Sequence, residues 1–209
     1  MKALVIGATG AVGKVLVRQL LCDDYFTEVD IFIRSEWDIQ HPKLVTHIVD
    51  FEEIDQWAHL ITGDIAYSCL GTTRKQAGSK ERQKHIDYDY VMQFAQYCKG
   101  NGVKTFAMVS SIGANDKSTN FYTRVKGQLE RVIFTLRFNS TVIVRPSLLI
   151  RPHSDRWVER ASIRLLKWLN ALGIMKRFKP VSLTQVSNCI REESKRQNCK
   201  IIIVENVYI

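Results

Sequence analysis

The stretch Gly7-Ala8-Thr9-Gly10-Ala11-Val12-Gly13 decides the fold of this chain. It follows the apolar run Ala3–Ile6 and precedes a segment with helical spacing, so the order is strand, glycine turn and helix. Glycine tolerates positive φ and lets the backbone approach a pyrophosphate, whose charge is met by free N–H groups at a helix N-terminus. The turn therefore predicts a dinucleotide site. Its G-x-x-G-x-x-G spacing differs from the standard G-x-G-x-x-G, and a tight turn without a ligand is the structural alternative.

Apolar, β-branched runs alternate with helical patterns along the chain. The predicted strands are Ala3–Ile6, Val29–Ile33, Leu44–Val49, Ile65–Leu70, Lys104–Val109 and Thr141–Val144. The predicted helices are Val12–Cys22, a short one near Glu53–Leu60, Glu81–Cys98 and Phe121–Phe138. This alternation predicts an α/β fold, a Rossmann-type doubly wound parallel sheet with helices on both faces.

The pattern changes after Pro146, where two further helices, near 155–172 and 182–195, precede a last strand, Lys200–Val204. Because a linker rich in glycine, serine or proline is absent, we expect a single domain over residues 1–209. Residues 146–209 are then a short α-rich cap on the substrate side. The basic segment Arg74–Arg82 is expected to be a loop beside the nucleotide.

Composition limits the function classes. The chain has 209 residues, of which 45% are hydrophobic and 24% charged, as in an ordinary globular domain, and its sequence contains no transmembrane stretch. Five scattered cysteines without a C-x-x-C pair favour reduced thiols and a cytoplasmic protein. The net charge of +9 invites nucleic acid, but no nucleic-acid-binding motif accompanies it, so we do not expect that partner. The five histidines form no recognisable ligand set, and no metal is predicted.

A second signal is Tyr122-Thr123-Arg124-Val125-Lys126, which lies on a predicted helix after the fifth strand. Tyr122 and Lys126 are four residues apart and share one helix face. An ammonium near a phenol favours the phenolate, and such a tyrosine can exchange a proton with a carbonyl or alcohol oxygen. By itself the pair also arises by accident, and its position after the fifth strand supports a functional interpretation.

Two serines, Ser110 and Ser111, end that fifth strand. The carboxyl edge of a doubly wound sheet is where ligands bind, so one of the two hydroxyls is a candidate hydrogen-bond donor to a substrate oxygen. The alternative is that both serines cap a turn.

The cofactor type is predicted from the end of the second strand. An acidic residue there binds a ribose 2′-hydroxyl, whereas an arginine accommodates a 2′-phosphate. Arg34 and Ser35 occupy this place and favour NADP, although Asp30 and Glu36 lie close enough to leave NAD open.

These motifs together resemble the atypical branch of the short-chain dehydrogenase/reductases, and within it the Tat-interacting-protein-like and NmrA-like NAD(P)-binding proteins. The resemblance covers nearly the whole chain. It is carried by the glycine turn, Cys69-Leu70-Gly71-Thr72-Thr73-Arg74, Asp87-Tyr88-Asp89-Tyr90, Ser110-Ser111, Asn120-Phe121-Tyr122, Lys126 and Arg145-Pro146-Ser147.

The resemblance implies an NADP-type cofactor, Tyr122 as acid/base, Lys126 as its electrostatic partner and a ribose ligand, and Ser111 or Ser110 as substrate-oxygen donor. It implies that Asp50-Phe51 contacts the adenine, with N-capping by Asp50 as an equal alternative. The predicted cofactor-binding residues are Gly7, Thr9, Gly10, Ala11, Val12, Gly13, Arg34, Ser35, Asp50, Phe51, Leu70, Gly71, Thr72, Thr73, Tyr122, Lys126, Pro146 and Ser147.

The expected function is an NADP-dependent oxidoreductase that moves hydride to or from a small carbonyl or alcohol, whose identity the residues do not reveal. The alternative is a catalytically silent, nucleotide-sensing protein that binds a protein partner. Relatives also imply a dimer face on the helices Glu81–Cys98 and Phe121–Phe138, although these residues do not require a homodimer.

Overall fold

The computed structural model describes residues 1–150, 179–196 and 200–209. Within these ranges seven parallel strands form one sheet and two short strands pair beside it. The strands are β1 (Lys2–Ile6), β2 (Glu28–Ile33), β3 (Leu44–Ile48), β4 (Ile65–Ser68), β5 (Thr105–Val109), β6 (Ser140–Arg145), β7 (Leu149–Ile150), β8 (Val181–Ser182) and β9 (Ile201–Glu205). The order across the large sheet is β3-β2-β1-β4-β5-β6-β9, so the winding reverses between β1 and β4. The predicted doubly wound parallel sheet is confirmed.

Helices cover both faces of this sheet. They are α1 (Ala11–Leu21), α2 (Ile54–Trp57), α3 (Arg74–Ala77), α4 (Lys80–Lys84), α5 (Tyr90–Gly100), α6 (Phe121–Thr135) and α7 (Leu183–Lys195). Single 3-10 turns lie at Phe51–Glu53, Ala58–Leu60 and Asn206–Tyr208.

Alternate strand residues enter two separate apolar cores, since successive side chains point to opposite faces. Val5 and Ile31 belong to the core that α1 and α7 cover. Leu4 and Phe32 belong to the core on the other face, under α5 and α6. Strands buried on both faces account for the nearly continuous apolar runs in the sequence.

The predicted helix Glu81–Cys98 lies within one uninterrupted helical run, Lys80–Gly100, which consists of three consecutive elements. A π-helical turn, His85–Asp89, separates α4 from α5. A π turn holds an extra residue, and here it coincides with the burial of an acidic side chain, that of Asp87. Helical periodicity in a sequence does not register this insertion.

The segment Arg74–Arg82 is wrongly predicted as a loop, because it contains α3 and the start of α4. Two side chains begin these helices: the Thr73 hydroxyl accepts from the Gln76 N–H and the Ser79 hydroxyl accepts from the Arg82 N–H. Each cap thus satisfies one of the free backbone donors of a very short helix.

The described part of the predicted C-terminal cap completes the sheet layers. Helix α7 packs against α1, and β9 pairs with β6 at the edge of the sheet. A reciprocal cap starts α7, since Ser182 and Gln185 bond each other's backbone N–H groups. The helix predicted near residues 155–172 lies outside the described residues.

Candidate functional site

The glycine turn is shaped by close backbone packing. Gly7 has φ +74°, and a Cβ added there would lie 2.5 Å from the carbonyl carbon of Cys69. A Cβ on Gly13 would lie 2.1 Å from the Gly7 carbonyl oxygen. These distances require glycine at both positions and seat the turn directly on the end of β4.

The start of α1 leaves backbone donors free for a ligand. Gly10 is the N-cap residue, and the helix start has neither a side-chain cap nor an acidic residue in its first turn. Gly10, Ala11 and Val12 line a cleft of about 570 Å³ at the carboxyl edge of the sheet. Free N–H groups and the positive end of the helix dipole make this a suitable place for a pyrophosphate. The residues present therefore fit a dinucleotide.

The cleft gathers most, but not all, of the predicted site. Its walls contain Gly10, Ala11, Val12, Leu70, Gly71, Thr72, Thr73, Ser110, Ser111, Tyr122, Lys126, Pro146 and Ser147. The other predicted residues are not among its lining residues: Gly7, Thr9, Gly13, Arg34, Ser35, Asp50 and Phe51. Sequence reasoning missed further lining residues, among them Gln76, Lys80, Gln83 and Phe121.

Helix α6 presents Tyr122 and Lys126 to the cleft. It begins at Asn120, whose side chain accepts from the N–H groups of Tyr122 and Thr123. Lys126 is 2% exposed, and its ammonium donates to the Leu70 carbonyl oxygen over 3.3 Å. Within the described ranges the Tyr122 hydroxyl has no hydrogen-bond partner, although the residue lines the cleft. The phenol is thus available to a substrate.

The two serines after β5 have different surroundings. Ser110 is buried and its hydroxyl donates to a carboxylate oxygen of Glu130. Arg145 holds the same carboxylate with two nitrogens, one of them Nε at 3.1 Å, and its third nitrogen reaches Glu205 at 2.7 Å. Ser111 is half-buried and donates only weakly, over 3.3 Å, to the Ile112 carbonyl oxygen. The Ser111 hydroxyl is the one that remains available.

The residues in and after β2 that could bind the adenosine ribose differ in exposure. Arg34 and Ser35 are exposed directly after the strand. Asp30 lies inside the strand, 1% exposed, and binds Lys2 at 3.0 Å and His47 at 2.8 Å. Its carboxylate is therefore committed to the sheet, which leaves Glu36 as the nearby acidic alternative.

Asp50 and Phe51 have structural roles in the described contacts. Asp50 caps the 3-10 turn, because its side chain accepts from the Glu52 N–H over 2.9 Å. Phe51 is 5% exposed and packs edge-on against Trp57. Their predicted adenine contact stays a prediction.

The Pro146-Ser147 wall is tied to the C-terminal part of the chain. The Ser147 N–H donates to the Asn206 side chain over 2.7 Å, and the Ser147 hydroxyl donates to the Lys179 carbonyl over 2.6 Å.

Neither a reactive thiol nor a metal cluster accompanies the cleft. Burial raises the pKa of the Cys69 thiol to about 12, so this lining residue is not a thiolate near neutral pH. Among the residues described, no three His, Cys, Asp or Glu side chains are placed to hold a metal ion. In the same ranges no helix combines the length and apolarity needed to cross a bilayer.

The sequence matches a family model and is similar to known proteins over most of its length. Residues 7–160 match the model of a family described as "NAD(P)H-binding". The chain is 33% identical over 194 residues to mitochondrial protein FMP52-1 of Scheffersomyces stipitis, covering 90% of this chain and 85% of that protein. It is 34% identical over 150 residues to protein HTATIP2 of Rattus norvegicus, covering 70% of this chain and 62% of that protein's length.

Solved structures share the fold at low sequence identity. A structure of MoeE5 in complex with UDP-glucose and NAD aligns with a TM-score of 0.74 and 14% identity over 97% of this chain and 75% of that one. A UDP-N-acetylglucosamine 4-epimerase from Methanobrevibacter ruminantium aligns with a TM-score of 0.73 and 14% identity over 98% and 76% of the two chains.

The predicted cytoplasmic location is wrong, because relatives such as the FMP52 proteins of Scheffersomyces stipitis, Candida albicans and Saccharomyces cerevisiae are named mitochondrial. The prediction rested on unpaired cysteines, and Cys22, Cys69, Cys98 and Cys189 are indeed free thiols. Free thiols indicate reducing conditions, and reducing conditions do not identify a single compartment.

Proposed function

The chain belongs to the NAD(P)H-binding family, in the atypical, NmrA-like branch of the short-chain dehydrogenase/reductases, and from this premise we propose that it is an NADP-dependent oxidoreductase for a small carbonyl or alcohol. One observation carries the proposal: a single cleft joins the uncapped start of α1 to Ser111, Tyr122 and Lys126. A dinucleotide supplies hydride chemistry when bound, and these side chains supply the proton chemistry that such a transfer needs.

The start of α1 binds the pyrophosphate in this proposal, since its free N–H groups face the cleft and Gly7 and Gly13 leave no side chain in the way. Lys126 lies one turn beyond Tyr122 on the same helix face and serves as ribose ligand and electrostatic partner. Thr72 and Thr73 also line the cleft.

Tyr122 acts as the acid/base group. In reduction its phenol donates a proton to the developing alkoxide, and in oxidation the phenolate accepts the alcohol proton. Ser111 orients the same oxygen by donating a hydrogen bond. We assign this donor to Ser111 rather than Ser110, because the Ser110 hydroxyl is already donated to Glu130.

Arg34 determines the preference for NADP over NAD. It is exposed directly after β2, where a guanidinium can bind a 2′-phosphate with two parallel hydrogen bonds. The internal position and existing ion pairs of Asp30 support this choice.

The test is a thermal-shift titration with NADP⁺, NADPH, NAD⁺ and NADH, since a ligand that binds only the folded state raises its stability. We expect the phosphorylated pair to raise the unfolding midpoint more than the other pair, and Arg34→Ala to remove the difference. Lys104→Ala is the matched control, because this exposed cation precedes β5 at the opposite edge of the sheet. Equal shifts by all four nucleotides would overturn the NADP assignment.

Turnover is tested with Tyr122→Phe on a panel of small aldehydes and ketones. The variant should bind nucleotide with unchanged affinity and lose at least about 10²-fold in kcat, the usual contribution of a positioned acid/base group. Nucleotide binding without turnover in the wild type would favour the nucleotide-sensing alternative.

A further inference from the structure

Asp87 is a buried carboxyl group with one oxygen unpaired. It lies on the π turn between α4 and α5 and is 0% exposed. Its Oδ1 accepts from the Thr72 N–H over 2.7 Å, whereas its Oδ2 is buried without a hydrogen-bond partner. Buried polar atoms normally have partners, so an unpaired carboxylate oxygen needs an explanation.

Lys126 is a buried charge at the same loop as Asp87, because its ammonium binds the Leu70 carbonyl, two residues before the Thr72 N–H that Asp87 binds. The ammonium and the carboxylate attract each other, although no ion pair within 4.0 Å joins them in the described ranges. Burial raises the pKa of the Asp87 carboxyl, and Lys126, the Thr72 N–H and the Gln83 side chain each oppose that rise. In a poorly polarisable interior, opposite charges act over more than contact distance.

The other groups around Lys126 do not supply a negative charge. Cys69, at the end of β4, is a thiol near neutral pH because burial raises its pKa to about 12. Tyr122 lies one turn earlier on α6. Glu130 lies one turn later, and its carboxylate is saturated by Ser110 and Arg145. Among the described residues Asp87 is the carboxylate left to balance Lys126.

We propose that Asp87 is the counter-charge of Lys126 and that, by also binding Thr72, it holds Lys126 and the loop Gly71–Thr73 in place beside each other at the cleft. The counter-charge role of Asp87 is argued only from the burial of Asp87 and Lys126 and does not depend on the proposed function. The consequence for nucleotide binding rests on the proposed function. In this arrangement the π turn brings a buried carboxylate from the α4–α5 segment to Thr72 and Lys126, two residues that line the cleft.

The first experiment is a double-mutant cycle on thermal unfolding. Asp87→Asn keeps an acceptor for the Thr72 N–H and removes the charge, whereas Lys126→Met removes the partner charge at similar length. Leaving one buried charge unpaired is strongly destabilising, so we expect Asp87→Asn to lower the unfolding midpoint at pH 7 by about 5 °C or more. The double variant should lose much less than the sum of the two single losses.

Asp89→Asn is the matched control on the same π turn. Asp89 is half-buried and pairs with His85, away from Lys126, so its variant should shift the midpoint only slightly. A midpoint for Asp87→Asn within about 1 °C of wild type, or strictly additive losses, would overturn the counter-charge. If Asp87→Asn does not fold, a folded double variant supports the pairing and an unfolded double variant counts against it.

A pH series separates charge balance from simple packing. In Asp87→Asn an unpaired buried ammonium releases its proton more easily in the folded than in the unfolded chain, so stability rises with pH. The deficit against wild type should therefore shrink between pH 7 and pH 10. The double variant, which has no lysine at position 126, should show no such recovery.

Nucleotide affinity tests the positioning role. The dissociation constant for NADPH should rise several-fold in Asp87→Asn and stay unchanged in Asp89→Asn. If the double-mutant cycle shows coupling but no nucleotide binds, the charge pair is supported and the proposed function is contradicted. If nucleotide binds but the two substitutions show no coupling, the proposed function is supported and the counter-charge role of Asp87 is contradicted.

Discussion

The Ser110 hydroxyl already donates a hydrogen bond to Glu130, whereas the Ser111 hydroxyl makes only a long hydrogen bond to the Ile112 carbonyl oxygen. Ser111→Ala should lower kcat by roughly 10²–10³-fold, the range found for loss of one donor to a developing oxyanion, and leave nucleotide affinity unchanged. Ser110→Ala should act mainly on stability, since it removes a buried hydrogen bond to Glu130 worth about 1–3 kcal/mol. Steady-state kinetics and unfolding midpoints of the two variants measure this contrast. A larger kinetic loss in Ser110→Ala would reverse the assignment of the donor.

Sequence alone places both serines at the same strand end and cannot distinguish them. The difference arises from Glu130, which is 20 residues away along the chain, and from Arg145, which is 15 residues further. Local motifs predicted Tyr122, Lys126 and the glycine turn because their spacing is itself the signal. Asp87 stands in the motif Asp87-Tyr88-Asp89-Tyr90, which indicated the family but no role for this residue, since the proposed role depends on a π turn and on a distant lysine.

At the scale of elements, the role of Gly13 in the turn into α1 can be tested against a control glycine, Gly100, at the end of α5. Gly13→Ala forces a Cβ to within 2.1 Å of the Gly7 carbonyl oxygen, so the turn must open. We expect this variant to lose roughly 1–3 kcal/mol of stability, as overpacked sites do, together with most nucleotide binding. Gly100→Ala, at the end of α5, meets nothing within 4 Å and should behave as wild type in both measurements. Retained nucleotide affinity in Gly13→Ala would contradict the role of the turn.

Long helices were predictable because burial on one face repeats with a fixed period, and the central strands were predictable because burial on both faces gives short continuous apolar runs. The parallel, doubly wound sheet follows from the alternation of strand and helix, and helical spacing predicted α1 and α6, although α6 ends at Thr135 rather than Phe138. Arg137 follows it with φ 50°, a conformation that stops a helix. The short helix α3 was not predictable from periodicity, because it is only about one turn long and depends on its cap.

At the scale of the whole molecule, Glu52 links two distant parts of the fold and makes stability depend on pH. Its carboxylate accepts from Tyr90 over 2.6 Å, Arg82 over 2.7 Å and His85 over 2.8 Å. These hydrogen bonds lower the pKa of Glu52 to about 2, whereas the carboxylates of Glu52 and Asp89 raise the pKa of His85.

The sign of each contribution follows from the direction of its shift. The lowered pKa of Glu52 gives stability that is present above its ordinary value of 4.5 and is lost as pH falls toward 2. The raised pKa of His85 gives stability that is present below 6.5 and is lost as pH rises through the folded value. The unfolding midpoint of Glu52→Gln should thus lie furthest below wild type near pH 5–6, by about 2–4 °C at most, because the cluster is partly exposed.

Thermal unfolding from pH 2 to pH 9 measures this difference. Glu53→Gln is the control, since Glu53 is the adjacent exposed acid and, in the described part of the chain, its side chain accepts one hydrogen bond, from Gln56 over 3.4 Å. A difference between Glu52→Gln and wild type that is constant with pH would show that the three donors do not depend on its charge.

The packing of α1 against α7 has a consequence for folding during synthesis on the ribosome. The glycine turn and α1 are synthesised well before the helix that covers α1, Leu183–Lys195, and the Ser187 hydroxyl donates to the Val12 carbonyl across 175 residues of sequence. Domains fold as units as they emerge. The apolar face of α1 therefore stays without its native partner while the intervening residues are synthesised, so during that interval it is a surface that a chaperone can bind.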